Sequence, residues 1–595
     1  MPTKVITVSP TGGGVIKDLP AFELAANQWS DSLNMRFENG LAIRRGGIRE
    51  GWTAPAVIPY ALEAFNTTAG TRFIVEAGIA KVYVDDGTTQ TEITRYTDGK
   101  VISSITRVGT TATLTTSTAH CLSTGNTVSV FGAVPTGYNV TGAITVTGAN
   151  TFTYTMAADP GSSATTVGQY SYNVTSNFSG AIDDKWTICV FNGILILNNP
   201  VDGPYYWNGD VTTRMRRLPG WLAGEKCYSM RAFKNYLIAL APTIAGTYYP
   251  HLIRWSESSE AGSIPSTWTA SSTNDAGDTP QAAEVGGFMV DGLALGDEFI
   301  VYKDDGLFAL QFIGQPSVMS LRRLPGRDGL LARHCVVETP AGHVYLSNGD
   351  IKIHTGGGSQ SIGEGTIRHW LFGLKDGTYS NRSFLALNPP KCEVWVVFPS
   401  YGESVPDTVA AWNWNTNTWG IHEIPACTCA ATGLIASGVD SEAWEDDPES
   451  WVSDVTRWYQ YEYSPNELRL VLGFPTLKLG LADTGTLDLG ASFTWRLEKT
   501  GSTLGDNDSM KVVSRSRPQF SANAGTVVSV YHTTTKDASD DPVYPAAVSY
   551  TVGTSNWANL FSVQGRFLAV KYEGSANAIV ILRSYDVEYA IQGRF

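Results

Sequence analysis

The residues of this 595-residue chain with the most chemical reach are three adjacent carboxylate pairs, Asp85-Asp86, Asp304-Asp305 and Asp446-Asp447. General acid–base catalysis needs two carboxyls in a cleft, with environments that push their proton affinities apart. All three pairs stand in segments that read as turns, where short acidic side chains cap neighbouring backbone, so solvated turn chemistry is the expectation. The acidic stretch with Glu442, Glu445, Asp446, Asp447 and Glu449 lacks the alternating spacing that wraps one Ca²⁺ and reads as an exposed or pore-lining loop. Seven cysteines, an odd number with no CxxC pair, give neither a disulfide framework nor a zinc ribbon. Cys427 and Cys429 would share a face of a strand, but burial as small apolar residues is the expected role. His334-Cys335 is no nucleophile–base pair, because adjacent strand residues point to opposite faces. Gly12-Gly13-Gly14 is not followed by the Lys and helix of a phosphate loop, and neither GxSxG nor HExxH occurs. No catalytic residue, metal or cofactor is therefore expected. The local basic features are Arg44-Arg45 and two Arg pairs, Arg216-Arg217 and Arg322-Arg323, expected to contact neighbouring subunits rather than phosphates.

The elements that carry these residues are strands. Charged residues make up 16% of the chain, below the usual share of about 25%. Aromatics reach 11%, with 60 Gly and recurrent Thr and Ser clusters, the composition of short strands joined by tight turns. A net charge of −14 argues against gripping nucleic acid by its phosphates. A weakly acidic wall instead repels the backbone of DNA and suits a conduit. The N-terminus has no apolar signal-peptide core, and no 18-residue apolar run exists, so folding in a cytoplasm is expected.

Hairpins recur from about residue 55. Phe73–Ala77 leads to Lys81–Val84, and Trp186–Val190 turns through Asn192-Gly193 into Ile194–Leu197. Glu298–Tyr302 turns through Asp304-Asp305-Gly306, and His343–Leu346 through Asn348-Gly349-Asp350. Arg216-Arg217-Leu218-Pro219-Gly220 returns as Arg322-Arg323-Leu324-Pro325-Gly326. Half their separation is close to the roughly 50-residue blade of kelch-type propellers. The predicted body is an irregular β-propeller over 53–101 and 171–480. Residues 102–170, rich in Thr and Gly, read as a small all-β module inserted into the first blade. The stretch from 481 to 595 alternates cleanly and reads as a C-terminal β-sandwich. Residues 1–52 read as an extended arm ending in a hairpin at Asn39-Gly40, with Phe22, Trp29 and Phe37 as anchors against the body or a neighbouring subunit.

Two segments carry a family resemblance. Trp29, Ser30, Asn34, Arg36, Phe37 and Gly40 form a pattern that resembles the opening segment of tail nozzle (tail tubular, DNA-stabilisation type) proteins of short-tailed bacteriophages. Ala119, His120, Leu122, Gly125, Val128, Val130, Gly132 and Ala133 resemble the core of a small β-domain that recurs in phage structural proteins, with Cys121 in place of the usual Gly. The closing Gly593-Arg594-Phe595 is similar to the end of the nozzle family's sandwich. The resemblance implies a non-enzymatic virion tail subunit, assembled in the host cytoplasm into a homo-hexameric ring below the portal and its adaptor. It implies a lumen that retains and then conducts double-stranded DNA, lateral attachment of tail fibres or spikes, and contact with the host outer membrane. The same family expectation makes Arg44 and Arg45 part of an assembly arm with the motif residues.

One alternative belongs to a different class. Thr273-x-Asp275-x-Gly277 approximates the Asp-box turn of sialidase propellers, although Pro280 stands where Trp is expected. A propeller glycosidase acting on cell-surface polysaccharide would also need clustered Arg and a Tyr nucleophile, which no pattern singles out.

Overall fold

The structure is a computed structural model that describes residues 3–96, 100–117, 119–120, 122–172, 177–284, 286–314, 317–434 and 468–594. The chain is nearly all β, with many antiparallel sheets; the α-helix among the described residues is Arg368–Leu374.

Seven successive sheets form the body. Sheet A is built from Ala61–Asn66, Arg72–Ala77, Val82–Asp85 and Gln90–Glu92, and sheet B from Thr187–Phe191, Ile194–Asn199, Gly203–Trp207 and Arg216–Arg217. Sheet C holds Lys226–Phe233, Tyr236–Ile244, Ile253–Trp255 and Gly277–Thr279, with Thr247–Tyr248 at its side; sheet D holds Met289–Leu295, Glu298–Lys303, Leu307–Phe312 and Met319–Arg323. Sheet E runs from Val336–Thr339 to Ser359–Ser361 and sheet F from Phe384–Asn388 to Thr418–Glu423. Sheet G contains Cys429–Gly433, Arg469–Phe474 and Lys478–Ala482, and its fourth strand is Ile48–Gly51 from the opposite end of the sequence.

The turns explain why adjacent strands pair. Asn192 and Gly193 both take positive φ, as do Asn39 and Gly40, so each pair closes a two-residue hairpin whose twist matches its strands. Within each sheet apolar residues face both ways, because each sheet packs between two others. Phe65, Phe73, Val75 and Val84 of sheet A meet Trp186, Leu195 and Trp207, whereas Leu62 and Ile74 meet Cys429, Ala431, Val471 and Leu481 of sheet G. The first strand of each sheet lies beside the first strand of the next, and that of sheet G lies beside that of sheet A. The repeated Arg-Arg-Leu-Pro-Gly occupies equivalent places: each Arg pair is in the fourth strand, of sheets B and D respectively. Each Leu is buried and donates its amide to the third strand, and each Gly has positive φ.

Residues 100–172 form a seven-stranded module with its own core of Ile102, Leu114, Val128, Val130, Phe152 and Tyr170. It follows a completed sheet A rather than interrupting it. Short flanking strands such as Gln90–Glu92 lack the apolar alternation that would have marked them in the sequence. His120 is buried and pins a turn: its Nδ1 accepts from the Leu122 amide at 2.9 Å and its Nε2 lies 2.9 Å from the Gly148 carbonyl.

The C-terminal unit has two sheets, and the N-terminal segment is woven through both. Met35–Glu38 and Leu41–Arg44 extend a sheet containing Ser509–Ser521, Ala558–Gly565 and Ile581–Arg594, and Lys4–Val8 pairs with Ile581–Arg594 as well. Asp31–Leu33 edges the other sheet, beside Trp495–Ser502, Phe567–Gly574, Val527–Thr535 and Val548–Thr551. Residues 1–52 are therefore not a detached arm among the described residues: their strands complete three sheets of their own chain.

Candidate functional site

Chemically capable side chains gather at the joint between body and C-terminal unit and in a cavity at the convergence of the first strands.

At the joint, Asn34 adopts φ 55°, a left-handed conformation that Asn tolerates better than other residues bearing a Cβ. Its side-chain amide donates to the Thr494 carbonyl at 2.8 Å, while Oδ1 accepts from Arg45 Nε at 2.9 Å and from the Glu423 amide at 3.1 Å. One side chain thus ties the C-terminal unit, sheet F and the N-terminal segment. Arg36 donates through Nε and Nη2 to both oxygens of Glu393, each at 2.9 Å, and through Nη2 to Asp483 at 2.8 Å. Burial disfavours that guanidinium's charge, but Asp483 and Glu393 more than compensate and hold its proton affinity well above the ordinary value. Arg45 forks onto Asp488 at 2.9 and 2.5 Å. The guanidiniums of Arg44 and Arg45 both lie over the Phe493 ring, at 3.9 and 4.1 Å. Arg44 is driven down to about 10 by burial and by repulsion from Arg45. Trp29 donates Nε1 to the Thr11 carbonyl at 2.7 Å and packs against Tyr572 and Tyr585. The Gly40 carbonyl accepts from the amides of Thr11 and Gly12. Phe37 is buried, with its carbonyl capped by Thr418.

The expectation of surface subunit contacts is corrected at Arg44 and Arg45: both are buried inside the chain, Arg45 forked onto Asp488 and Arg44 stacked on Phe493 and donating to the Thr486 carbonyl. Trp29 and Phe37 anchor the segment within its own subunit. Phe22, by contrast, is 44% exposed, next to Leu19 at 43%. Arg216 stacks between Phe131 of the module and Tyr96, at 4.8 and 5.1 Å, and Arg217 donates to the Tyr205 hydroxyl at 2.7 Å. Arg322 forks onto Glu298 on the surface. Arg323 ends the fourth strand of sheet D and is exposed. Glu442, Glu445, Asp446, Asp447 and Glu449 lie outside the described residues.

The cavity, of about 490 Å³, is lined by all seven first strands or their flanks, with Tyr60, Glu63, Lys185, Arg231, His334 and Glu338 among its polar side chains. Its ions are mostly engaged. Arg231 forks onto Asp291 at 2.9 and 2.6 Å, and Asp291 also accepts from Ser229 Oγ at 2.7 Å. Although burial opposes it, Arg231 holds the Asp291 carboxyl well below the usual range. Lys185 donates to the carbonyls of Arg333 and Ser383 at 3.1 and 2.8 Å, and burial brings it down to about 8. His334, bonded to the Trp186 carbonyl at 2.5 Å, is lowered to about 3 by burial. Glu63 is pushed up to about 7 by burial, with Arg231 pulling the other way. A lone acidic residue in an apolar strand is the signal that marks both Glu63 and Glu76, and the sequence reading passed over it.

The remaining features are turns, except that Asp85 closes the third strand of sheet A and is buried rather than solvated, because sheet G covers that face. Asp86 caps the amides of Thr88 and Thr89, and Asp304 caps that of Phe288. Asp275 accepts from the Tyr236 hydroxyl and the Ser258 amide just before the fourth strand of sheet C. Cys427 and Cys429 do not share a face: the strand begins at Cys429, and the two thiols enter different cores, with Cys427 pushed up to about 12 by burial. Among the described residues no group of three or more His, Cys, Asp or Glu side chains is placed to hold a metal, and no helix is long and apolar enough to cross a membrane.

No protein family model matches this chain, and no curated protein matches it. Solved structures with some likeness include the computationally designed Ika8 protein (10% identity, 73% of this chain and 99% of that one, TM-score 0.32). The N-terminal domain of Nup159 is 9% identical over 74% of this chain and 95% of that one, with a TM-score of 0.26. PorZ, a surface component of the type-IX secretion system of Porphyromonas gingivalis, is 10% identical over 84% of this chain and 67% of that one, with a TM-score of 0.29. Likenesses this distant bear on neither fold nor function.

Proposed function

We propose that this chain is a structural subunit of a phage tail nozzle, with sheets A to G as the blades of a seven-bladed propeller closed by Ile48–Gly51. Subunits would form a ring, hexameric by the family resemblance, below the portal adaptor, passing double-stranded DNA and offering a surface to tail fibres. The observation that carries this reading is the use made of the Trp29–Gly40 motif. Its residues join the body to the C-terminal unit, as befits an architectural role. The cyclic order of first-strand neighbours supports the propeller. Exposed Leu19 and Phe22, on the segment just before the motif, are apolar groups suited to a neighbouring copy.

Negative-stain electron microscopy of the full chain, alone and with the adaptor, tests this. Sixfold rings with a central channel are expected; monomers at every concentration would overturn it. Phe22→Asp should block ring formation while leaving the monomer folded.

A glycosidase acting on cell-surface polysaccharide has one observation in its favour, the presence of Tyr60, Glu63 and Arg231 in one cavity. Arg231 is already committed to Asp291, which weighs against its binding a substrate carboxylate. Absence of turnover on host glycans would remove this reading.

A further inference from the structure

The two copies of Arg-Arg-Leu-Pro-Gly hold their first arginine in the same place and put it to different use. Across sheet D, Arg322 stands opposite Ala309 and Ala309 opposite Ile300; across sheet B, Arg216 stands opposite Tyr206 and Tyr206 opposite Ile196. Side chains two residues apart on a strand share a face, so Glu298, onto which Arg322 forks, corresponds to Ile194 in sheet B. An aliphatic side chain thus stands where sheet D has its carboxylate, and among the described residues no carboxylate pairs with Arg216.

A guanidinium left without a carboxylate settles well on aromatic faces. That of Arg216 lies over Tyr96, on the body side, at 5.1 Å, and over Phe131, in the module strand Thr127–Phe131, at 4.8 Å. Its Nη1 also reaches Ser171 Oγ at 3.5 Å, in the strand Gln169–Tyr172 that pairs with Thr127–Phe131. The body fixes this arginine in turn. Met215, next to it, is buried and donates its amide to the Ile93 carbonyl at 3.0 Å, while its own carbonyl accepts from the Tyr96 amide at 3.0 Å. Tyr96 and Arg216 are therefore held together on one platform.

The module calls for such a fixture. Among the described residues its seven strands pair with one another alone, and its core is drawn from its own residues. Neither that sheet nor that core continues into sheet A or sheet B, so neither prescribes how the module is oriented on the body. Phe131 stands outside the module core, half-buried against the guanidinium. We propose that Arg216 is a latch that fixes the module on the body, and that the module turns on its connections when the guanidinium leaves the Phe131 ring. Arg322 displays the same repeat position without a module beside it, a surface fork onto Glu298.

Double electron–electron resonance on the full chain tests this, with spin labels carried by non-canonical side chains at Val108 of the module and Tyr401 of the body, 85% and 82% exposed. Wild type should give one narrow distance distribution. Arg216→Ala removes the guanidinium and Phe131→Ala the ring it holds, and each should widen the distribution, with the displaced fraction rising about tenfold. The double variant should be no wider than either single one, because all three lose the same interaction. Neither residue belongs to a hydrophobic core, and either single variant carries the test should the other fail to fold. A broad distribution in wild type, wild-type-like distributions in the variants, or a double variant in which the two effects add would each overturn the latch.

Discussion

Arg36 and Glu393 are 357 residues apart in sequence and meet in a fork of two 2.9 Å hydrogen bonds, both side chains 3% exposed. Arg36 sits in a strand of the C-terminal unit and Glu393 at the start of the second strand of sheet F, so this pair rivets the two units. Arg36 also holds the buried Asp483, so it is the partner whose removal strands charge. Arg36→Met is expected to destabilise the chain by about 3–5 kcal/mol, measured by urea unfolding. Arg36→Met with Glu393→Met and Asp483→Asn should recover much of that loss, because it removes the guanidinium together with both carboxylates it binds.

Trp29→Ala removes an indole packed between Tyr572 and Tyr585 and orphans the Thr11 carbonyl. A loss of about 3–5 kcal/mol is expected from the cavity, seen as a lower midpoint in denaturant. Because Trp29 lies inside its own subunit, rings formed by the folded fraction should be normal, which separates this variant from Phe22→Asp.

Gly433 approaches sheet A more closely than any side chain would permit: a Cβ there would fall 2.1 Å from Ala64 Cβ. Gly433→Ala should therefore cost about 1–3 kcal/mol by overpacking, with faster hydrogen exchange in Ala61–Asn66 and Cys429–Gly433. Unchanged exchange in both strands would contradict the close approach.

The Asp291 carboxyl, depressed by Arg231 in the central cavity, contributes stability above the ordinary carboxylate range of about pH 4. That contribution is lost as pH falls towards the depressed value, since the unfolded chain then binds a proton that the folded one resists. Asp291→Asn should be strongly destabilised near neutrality, and the gap to wild type should narrow on acidification in thermal melts. A gap that stays constant down to about pH 2 would count against the pair's role.

The strands and their turns were legible in the sequence because they depend on local chemistry. Asn39-Gly40 and Asn192-Gly193 tolerate positive φ wherever they occur, and alternation of apolar residues marks strands such as Trp495–Ser502 without reference to neighbours. The repeated Arg-Arg-Leu-Pro-Gly likewise marks equivalent strands of sheets B and D, since Leu burial and the Gly turn are local demands. The location of Arg44 and Arg45 was not legible. A doubled Arg reads as surface until Phe493 and Asp488, more than 440 residues on, are brought beneath it. The same holds for Asp85, whose isolation from water follows from sheet G. The amino-acid sequence by itself thus determined which segments are strands and where they turn, through φ preference and side-chain alternation. Tertiary structure alone decided that the two ends of the chain complete each other's sheets and which charges are buried, because those outcomes depend on partners distant in sequence.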